Sequence, residues 1–372
     1  MALSKVDLAN QVENILPETL GGTGASQFPA QFRNIIINGD MSIAQRGTSF
    51  TCSNATGSKY TLDRFQYIDV DTPDSVYTIT PSTDVPTGQG FAKSLKVDVA
   101  TADASLDAND GTQIQQSIEA QNLQYLKFGT SSAESLTLSF WVKSNKTGTY
   151  VVRLSQPDSS SRMVSFAYTI SSSSTWEKKT ISIPADTSGN INNDNGSGLN
   201  ITWWLSAGSS YTSGSLASTW QAYSNGDSAV GQVNLADNTA NEWYITGVQL
   251  EAGTTASDFE FLPYDVNFLR CQRYYTQVPT LGGLNGHAMF LAHNINEAPG
   301  GIIFPTIMRT SPTVTTYDNA GNSGAIHKFG SPDISGVTVA RPSPIGYGGI
   351  GSSGSFVAGG IYIGTWKADA EL

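Results

Sequence analysis

The chain has 372 residues, of which 39% are hydrophobic and only 14% charged, with 37 glycines and a formal net charge of −11. Ser, Thr, Gly and Asn stand where a helical bundle would carry Lys, Glu and Arg, so the composition argues for β-sheets joined by polar loops. The acidic balance argues against nucleic-acid phosphate or anionic lipid as partner, and the length suits two or three domains.

In chain order, residues 4–16, SKVDLANQVENIL, read as a short helix. Ser4 can cap it, and Leu8, Val12 and Ile15 fall on one face. Such a helix is marginal alone, so its stripe is expected to meet another copy of itself or another protein. PETLGGTGASQFPAQF follows, and its Gly and Pro mark a linker. The N-terminal segment thus spans residues 1–32. It lacks the long apolar core of a secretory signal, and no run in the chain is long enough to span a membrane. A soluble chain made in a cytoplasm, without membrane insertion, is the expectation.

From Asn34 the text turns to β-formers. NIIING reads as a short apolar strand, and RFQYIDV, SVYTIT and SLKVDVA follow between turns. TQIQQSIEAQNLQYL reads as a loop with a helical turn. SLTLSFWVKS, TYVVRLSQ, MVSFAYTIS, EKKTISIPA, LNITWWLSA and NEWYITGVQLEAG then come at regular spacing. Residues 33–265 are therefore expected to form one antiparallel sandwich of jelly-roll size. Residues 266–372 give a smaller, glycine-rich β-domain with strands in HAMFLAHN, GGIIFPTIMR, TVTTYD, VTVARPS and GGIYIGTW. Between them lie joints such as IGYGGIGSSGSF. So small a sheet offers a limited core, and association would help to stabilise it.

Candidate sites are few. Tyr211, Trp220 and Tyr223 stand on a long polar loop, a mixture suited to sugars, whose C–H faces pack on rings and whose hydroxyls bind amides. The competing reading is packing against a neighbouring domain or subunit. Trp203 and Trp204 are adjacent on a strand, so one of them should face the core. Asp69, Asp71 and Asp74 are a weak candidate for a hard cation such as a structural Ca²⁺, with a solvated turn as the simpler reading; the residues around Asp194 read likewise. No cofactor is otherwise expected. Cys52 and Cys271 are the only cysteines, with neither disulfide-framework nor metal-ligand spacing. Cys271 has no nearby base in sequence and reads as a buried structural thiol. No phosphate loop, zinc motif or outstanding carboxylate pair appears, which argues against an enzyme.

NIIINGDMSIAQRGTSF…YTLDRF, WYITGVQLEAGTTASDFEFLPYDVNFLRCQRYY, MRTSPTVTTYDNAGNSG and the ending TWKADAEL, with LSKVDLANQV…LPETLGGTG at the start, together resemble the tail-fibre and virion-appendage proteins of marine bacteriophages. That resemblance implies a trimeric, mainly β fibre located on the virion and assembled in the host cytoplasm. It implies an N-terminus, with Leu8, Val12 and Ile15, anchored to a tail, neck or capsid protein, and a carbohydrate-binding-like jelly roll. Host attachment through a bacterial surface glycan follows as the function, with a receptor-free appendage or a glycan-cleaving tailspike as alternatives. In such proteins CQRYY joins the jelly roll to the distal domain, so Arg273 is expected to make a charged contact there while Tyr274 and Tyr275 pack.

Overall fold

A computed structural model describes residues 32–158, 160–278, 288–328 and 331–372. The fold is mainly β, in antiparallel sheets. One six-stranded sheet runs Phe50–Cys52, Val76–Ser82, Ser94–Thr101, Glu242–Ala252, Leu136–Ser144, Glu177–Ile183. A seven-stranded sheet runs Gln221–Ala222, Arg162–Ile170, Gly148–Gln156, Ser197–Ala207, Gly111–Glu119, Gln66–Val70, Lys59–Tyr60. Alternate residues of both supply one core: Leu95, Val97, Leu138, Phe140 and Ile245 from the first meet Ile114, Val152, Val164, Ile201 and Trp203 from the second. Phe140 sets its edge against Trp203 at 5.9 Å and against Tyr168 at 5.2 Å.

Two segments differ from the sequence expectation at the start of the sandwich. NIIING forms no strand. Its backbone is held by side-chain amides instead: Asn34 donates to the Val248 carbonyl at 3.1 Å, and Asn38 donates to those of Ile43 and Asp63 at 2.9 and 3.0 Å. Asn side chains compete with strand ladders in this way. Gly39 passes so close to the closing strand that a Cβ there would stand 2.1 Å from the Val248 carbonyl oxygen. Conversely, the first half of TQIQQSIEAQNLQYL is the strand Gly111–Glu119, and a 3₁₀ turn, Ala120–Leu126, follows. Its glutamines hid it, because a strand bonded on both sides can bury amides that find partners.

The distal part is organised by one long strand, Ile361–Asp369, which pairs with Tyr275–Gln277, Ala288–Leu291, Thr313–Tyr317 and Ala325–Lys328. A second sheet sets Gly346–Gly351 between Glu297–Ile303 and Thr338–Ala340. Thus GYGGIG, expected as a joint, is a central strand. Its glycines let backbones approach: a Cβ on Gly346 would lie 2.0 Å from the Ile302 oxygen. Phe290, Phe304, Tyr347, Tyr362 and Trp366 fill a separate core between these strands.

Between the two cores lies a seam. The helix Tyr264–Gln272 buries Cys271 with Ile37, Ile43 and Tyr274. The last residues return to the sandwich, where Arg64 pairs with Glu371 and the Tyr60 hydroxyl donates to the Leu372 carbonyl at 2.7 Å. Arg46 reaches Asp369 and Glu371, each at 3.2 Å. Two guanidiniums lie over rings here, Arg64 on Tyr274 at 3.5 Å and Arg46 on Tyr275 at 3.7 Å. Arg273 meets Glu119, so CQRYY makes the charged contact and the packing expected of it.

Candidate functional site

A cavity of about 590 Å³ opens along this seam. Three stretches far apart in sequence line it. Phe32, Asn34, Ile35 and Ile37 come from the amide-held opening of the sandwich. Ile37 is pinned by a reciprocal pair with Gln116, whose Oε1 accepts from the Ile37 amide at 2.9 Å while its Nε2 donates to the Ile37 carbonyl at 2.9 Å. The 3₁₀ turn after Glu119 presents Gln121, Asn122 and Tyr125. The helix Tyr264–Gln272 and the residues after it bring Arg270, Arg273 and Tyr274.

The lining combines rings, amides and cations. Phe32 and Tyr125 are exposed, at 57% and 38%. Burial against its neighbours pushes the Tyr125 phenol up to about 12, with Arg270 pulling the other way, so at neutral pH it keeps its proton. Arg273 is committed: its Nε and Nη2 donate to Glu119 at 2.7 and 2.8 Å. Arg270 makes a weaker contact, 3.4 Å from its Nη2 to the Asn34 carbonyl. Such a wall can hold hydroxyls through amides and stack flat C–H faces on rings.

The structure brings two of the aromatic candidates together and separates the third. Tyr211, 8% exposed, lies on Trp204 with centroids 5.1 Å apart. Trp203 faces the sandwich core, and Trp204 on the opposite face is buried too, because residues 208–229 fold back across the sheet. The Tyr223 hydroxyl accepts from Arg153 Nη1 at 2.7 Å, and its ring is 38% exposed. The Arg153 guanidinium sits 5.3 Å from the rings of both Trp204 and Tyr223. Trp220 turns elsewhere: its edge meets Phe128 at 5.8 Å and its Nε1 donates to the Pro184 carbonyl at 2.8 Å.

Asp69, Asp71 and Asp74 do not converge. Asp69 accepts from the Tyr67 hydroxyl at 2.7 Å, while Asp71 and Asp74 are exposed. Asp194 closes a turn by accepting from the Gly196 amide at 2.8 Å. Among the described residues no group of three or more His, Cys, Asp or Glu is placed to hold a metal ion, and no helix is long and apolar enough to cross a membrane. Leu8, Val12 and Ile15 lie outside the described residues. Cys271 is buried, and burial pushes its thiol well above the ordinary range.

Phe32, Asn34, Gln121, Asn122, Tyr125 and Arg270 were not picked out from the sequence. QNLQY carries the same amide and aromatic mixture as the 208–229 segment, and that was the available signal.

No family model matches the chain, and no curated protein matches it. Among solved structures it is similar over 59% of its length to the enzymatically active domain of bacteriophage CBA120 tailspike protein 4, at 13% identity and a TM-score of 0.32. That match spans only 22% of the tailspike chain. It is also similar to TmCBM61 in complex with β-1,4-galactotriose, at 10% identity and TM-score 0.29, covering 59% of this chain and 99% of that one. A third is the family 11 carbohydrate-binding module of cellulase Lic26A-Cel5E from Clostridium thermocellum, at 11% identity and TM-score 0.28, covering 54% and 97%.

Proposed function

We propose that the chain is a structural, non-catalytic component of a phage virion fibre that holds a bacterial surface glycan in the seam cavity. The lining carries this reading: the rings of Phe32 and Tyr125 stand in one cavity with the amides of Asn34, Gln121 and Asn122. Rings suit the C–H faces of sugars and amides suit their hydroxyls. None of the lining residues is Asp or Glu, so the carboxylate pair of glycoside hydrolysis is not at hand there, which favours binding over cleavage.

Assembly is part of the same proposal. Met289 and Leu291 are exposed on one face of their strand, and Leu291 sits opposite exposed Ile361. Uncovered aliphatic side chains in register favour burial against further copies, as in a homotrimer. Residues 1–32, through Leu8, Val12 and Ile15, serve in this reading as the anchor to a tail, neck or capsid protein. Three chains per fibre then multiply weak single contacts into firm attachment.

The test uses the purified full chain, fluorescently labelled, on a panel of bacteria and on surface polysaccharide extracted from them. Retention of the parent and its loss in a Phe32→Ala, Tyr125→Ala double variant that melts normally are expected. Equal retention of the two proteins would move the site elsewhere, and release of reducing sugar would replace the adhesin with a cleaving spike.

A further inference from the structure

Charge inside the cavity distinguishes one kind of sugar from another. Two arginines line it, and their surroundings differ. The charge of Arg273 is neutralised in place by both oxygens of Glu119. Arg270 has no carboxylate within 4.0 Å among the described residues; it donates to the Asn34 carbonyl, at 3.4 Å. The acid that acts on it from farther off is Glu260, and that carboxylate already accepts from the Asn34 amide at 2.9 Å. The other groups facing Arg270 are Tyr125, Cys271 and Tyr274, all neutral at pH 7, since phenols and thiols ordinarily keep their protons there and burial raises each further.

Among the described residues the cavity therefore holds one cation without a contacting counter-charge, in a chain whose net charge is −11. A half-buried guanidinium left in this way is held below its ordinary basicity by burial. Its planar fork matches a carboxylate with two parallel hydrogen bonds. Beside it stand the Tyr125 ring and the Gln121 and Asn122 amides, which suit the rest of a sugar ring.

We infer that the seam cavity selects an acidic glycan, with the carboxylate of a uronic-acid residue received by Arg270. This rests on the reading of the cavity as a glycan site and adds its charge. The acidic surface elsewhere does not prevent approach, since at physiological salt exposed charges are screened beyond roughly 8 Å.

The experiment compares each acid with its uncharged methyl ester. Trimers of galacturonate, glucuronate and mannuronate, the methyl ester of each, and the neutral trimers of galactose, glucose and mannose are titrated calorimetrically into the full chain at neutral pH, up to about 10 mM to cover weak single-site affinities. At least one acid is expected to bind about tenfold or more tightly than its ester, with the advantage shrinking as salt is raised. Arg270→Gln should bring acid and ester to the same affinity. The Arg270 Nε–H resonance of the parent should shift with the acid and not with the ester. Because the ester comparison uses the parent protein, it decides the matter even where the variant fails to fold. Esters or neutral sugars binding as well as the acids would overturn the charge assignment and leave the glycan site standing. Absence of binding by acids, esters and neutral oligosaccharides alike would overturn both.

Discussion

Arg273 grips Glu119 with a two-pronged contact, Nε to Oε1 at 2.7 Å and Nη2 to Oε2 at 2.8 Å, and so ties the strand Gly111–Glu119 to the chain leaving the helix Tyr264–Gln272. Glu119 is fully buried, and Gln121 adds a third hydrogen bond at 2.5 Å. Removing the guanidinium leaves a buried carboxylate without its cation. Arg273→Met is therefore expected to cost about 3–5 kcal/mol. Adding Glu119→Gln should recover much of the loss, since the stranded charge goes with it. Urea unfolding of the single and double variants measures both steps, and equal stability of the two would refute the pairing.

The same pair sets an acid response. Burial alone would raise the Glu119 carboxyl, but the hydrogen bonds and charge of Arg273, with Tyr274 and Gln121, outweigh it and hold the group below the usual range. A depressed folded-state value means that the unfolded chain takes the proton first. The stabilisation is then fully present above the unfolded value, about 4.3, and is lost as pH falls through the folded one. Asp63 has the opposite sign: burial outweighs its contacts with Gln45 and Arg46 and raises it, so its protonation in acid favours the fold. Glu119→Gln should flatten the fall in urea midpoint between about pH 5 and pH 3. A parent-like slope in the variant would assign the acid response to other groups.

Cys271 is a packing residue. Its thiol should resist alkylation in the folded chain and react only on unfolding, because the thiolate is the reactive form and burial disfavours it. Cys271→Ala is expected to cost about 1–3 kcal/mol and to leave retention on bacterial glycan unchanged. Tyr274→Ala should cost more, about 3–5 kcal/mol, since its ring is buried beneath the Arg64 guanidinium. Rapid labelling of Cys271 in native buffer would contradict this ordering.

Trp204 and Tyr223 should separate cleanly. Trp204→Ala removes the buried ring on which Tyr211 lies, with an expected cost of about 3–5 kcal/mol and new proteolytic cleavage within residues 208–229. Tyr223→Ala leaves that core ring in place but takes the hydroxyl from the buried Arg153 guanidinium, with an expected cost of about 1.5–3 kcal/mol and no new cleavage there. Thermal melts and limited chymotrypsin digestion of both variants check this, since residues 208–229 hold tyrosines and a tryptophan but no Lys or Arg.

The proposed trimer is tested at the aliphatic strand face. Light scattering of the parent at micromolar concentration should give three copies, and a Met289→Asp, Leu291→Asp variant should give fewer while keeping the parental circular dichroism. A parent that scatters as a monomer would remove the distal face from the assembly.

Alternation between the two faces of a strand is a local property, so runs such as SLTLSFWVKS and LNITWWLSA show their strands, and the mainly β sandwich with them, in the sequence itself. The same locality put Trp203 and Trp204 on opposite faces. It did not show that Trp204 would also be buried, because its cover comes from residues 208–229 folding back over the sheet. NIIING looked like a strand because apolar composition carries no record of where Asn34 and Asn38 aim their amides. GYGGIG looked like a joint because glycine's role there depends on how near the Ile302 backbone comes. The cavity was the least legible feature. Phe32, Tyr125 and Arg270 share no local pattern, and only the path of the chain, closed by Arg273 on Glu119, sets a ring from the sandwich opening, a ring from a 3₁₀ turn and a guanidinium from a helix around one space.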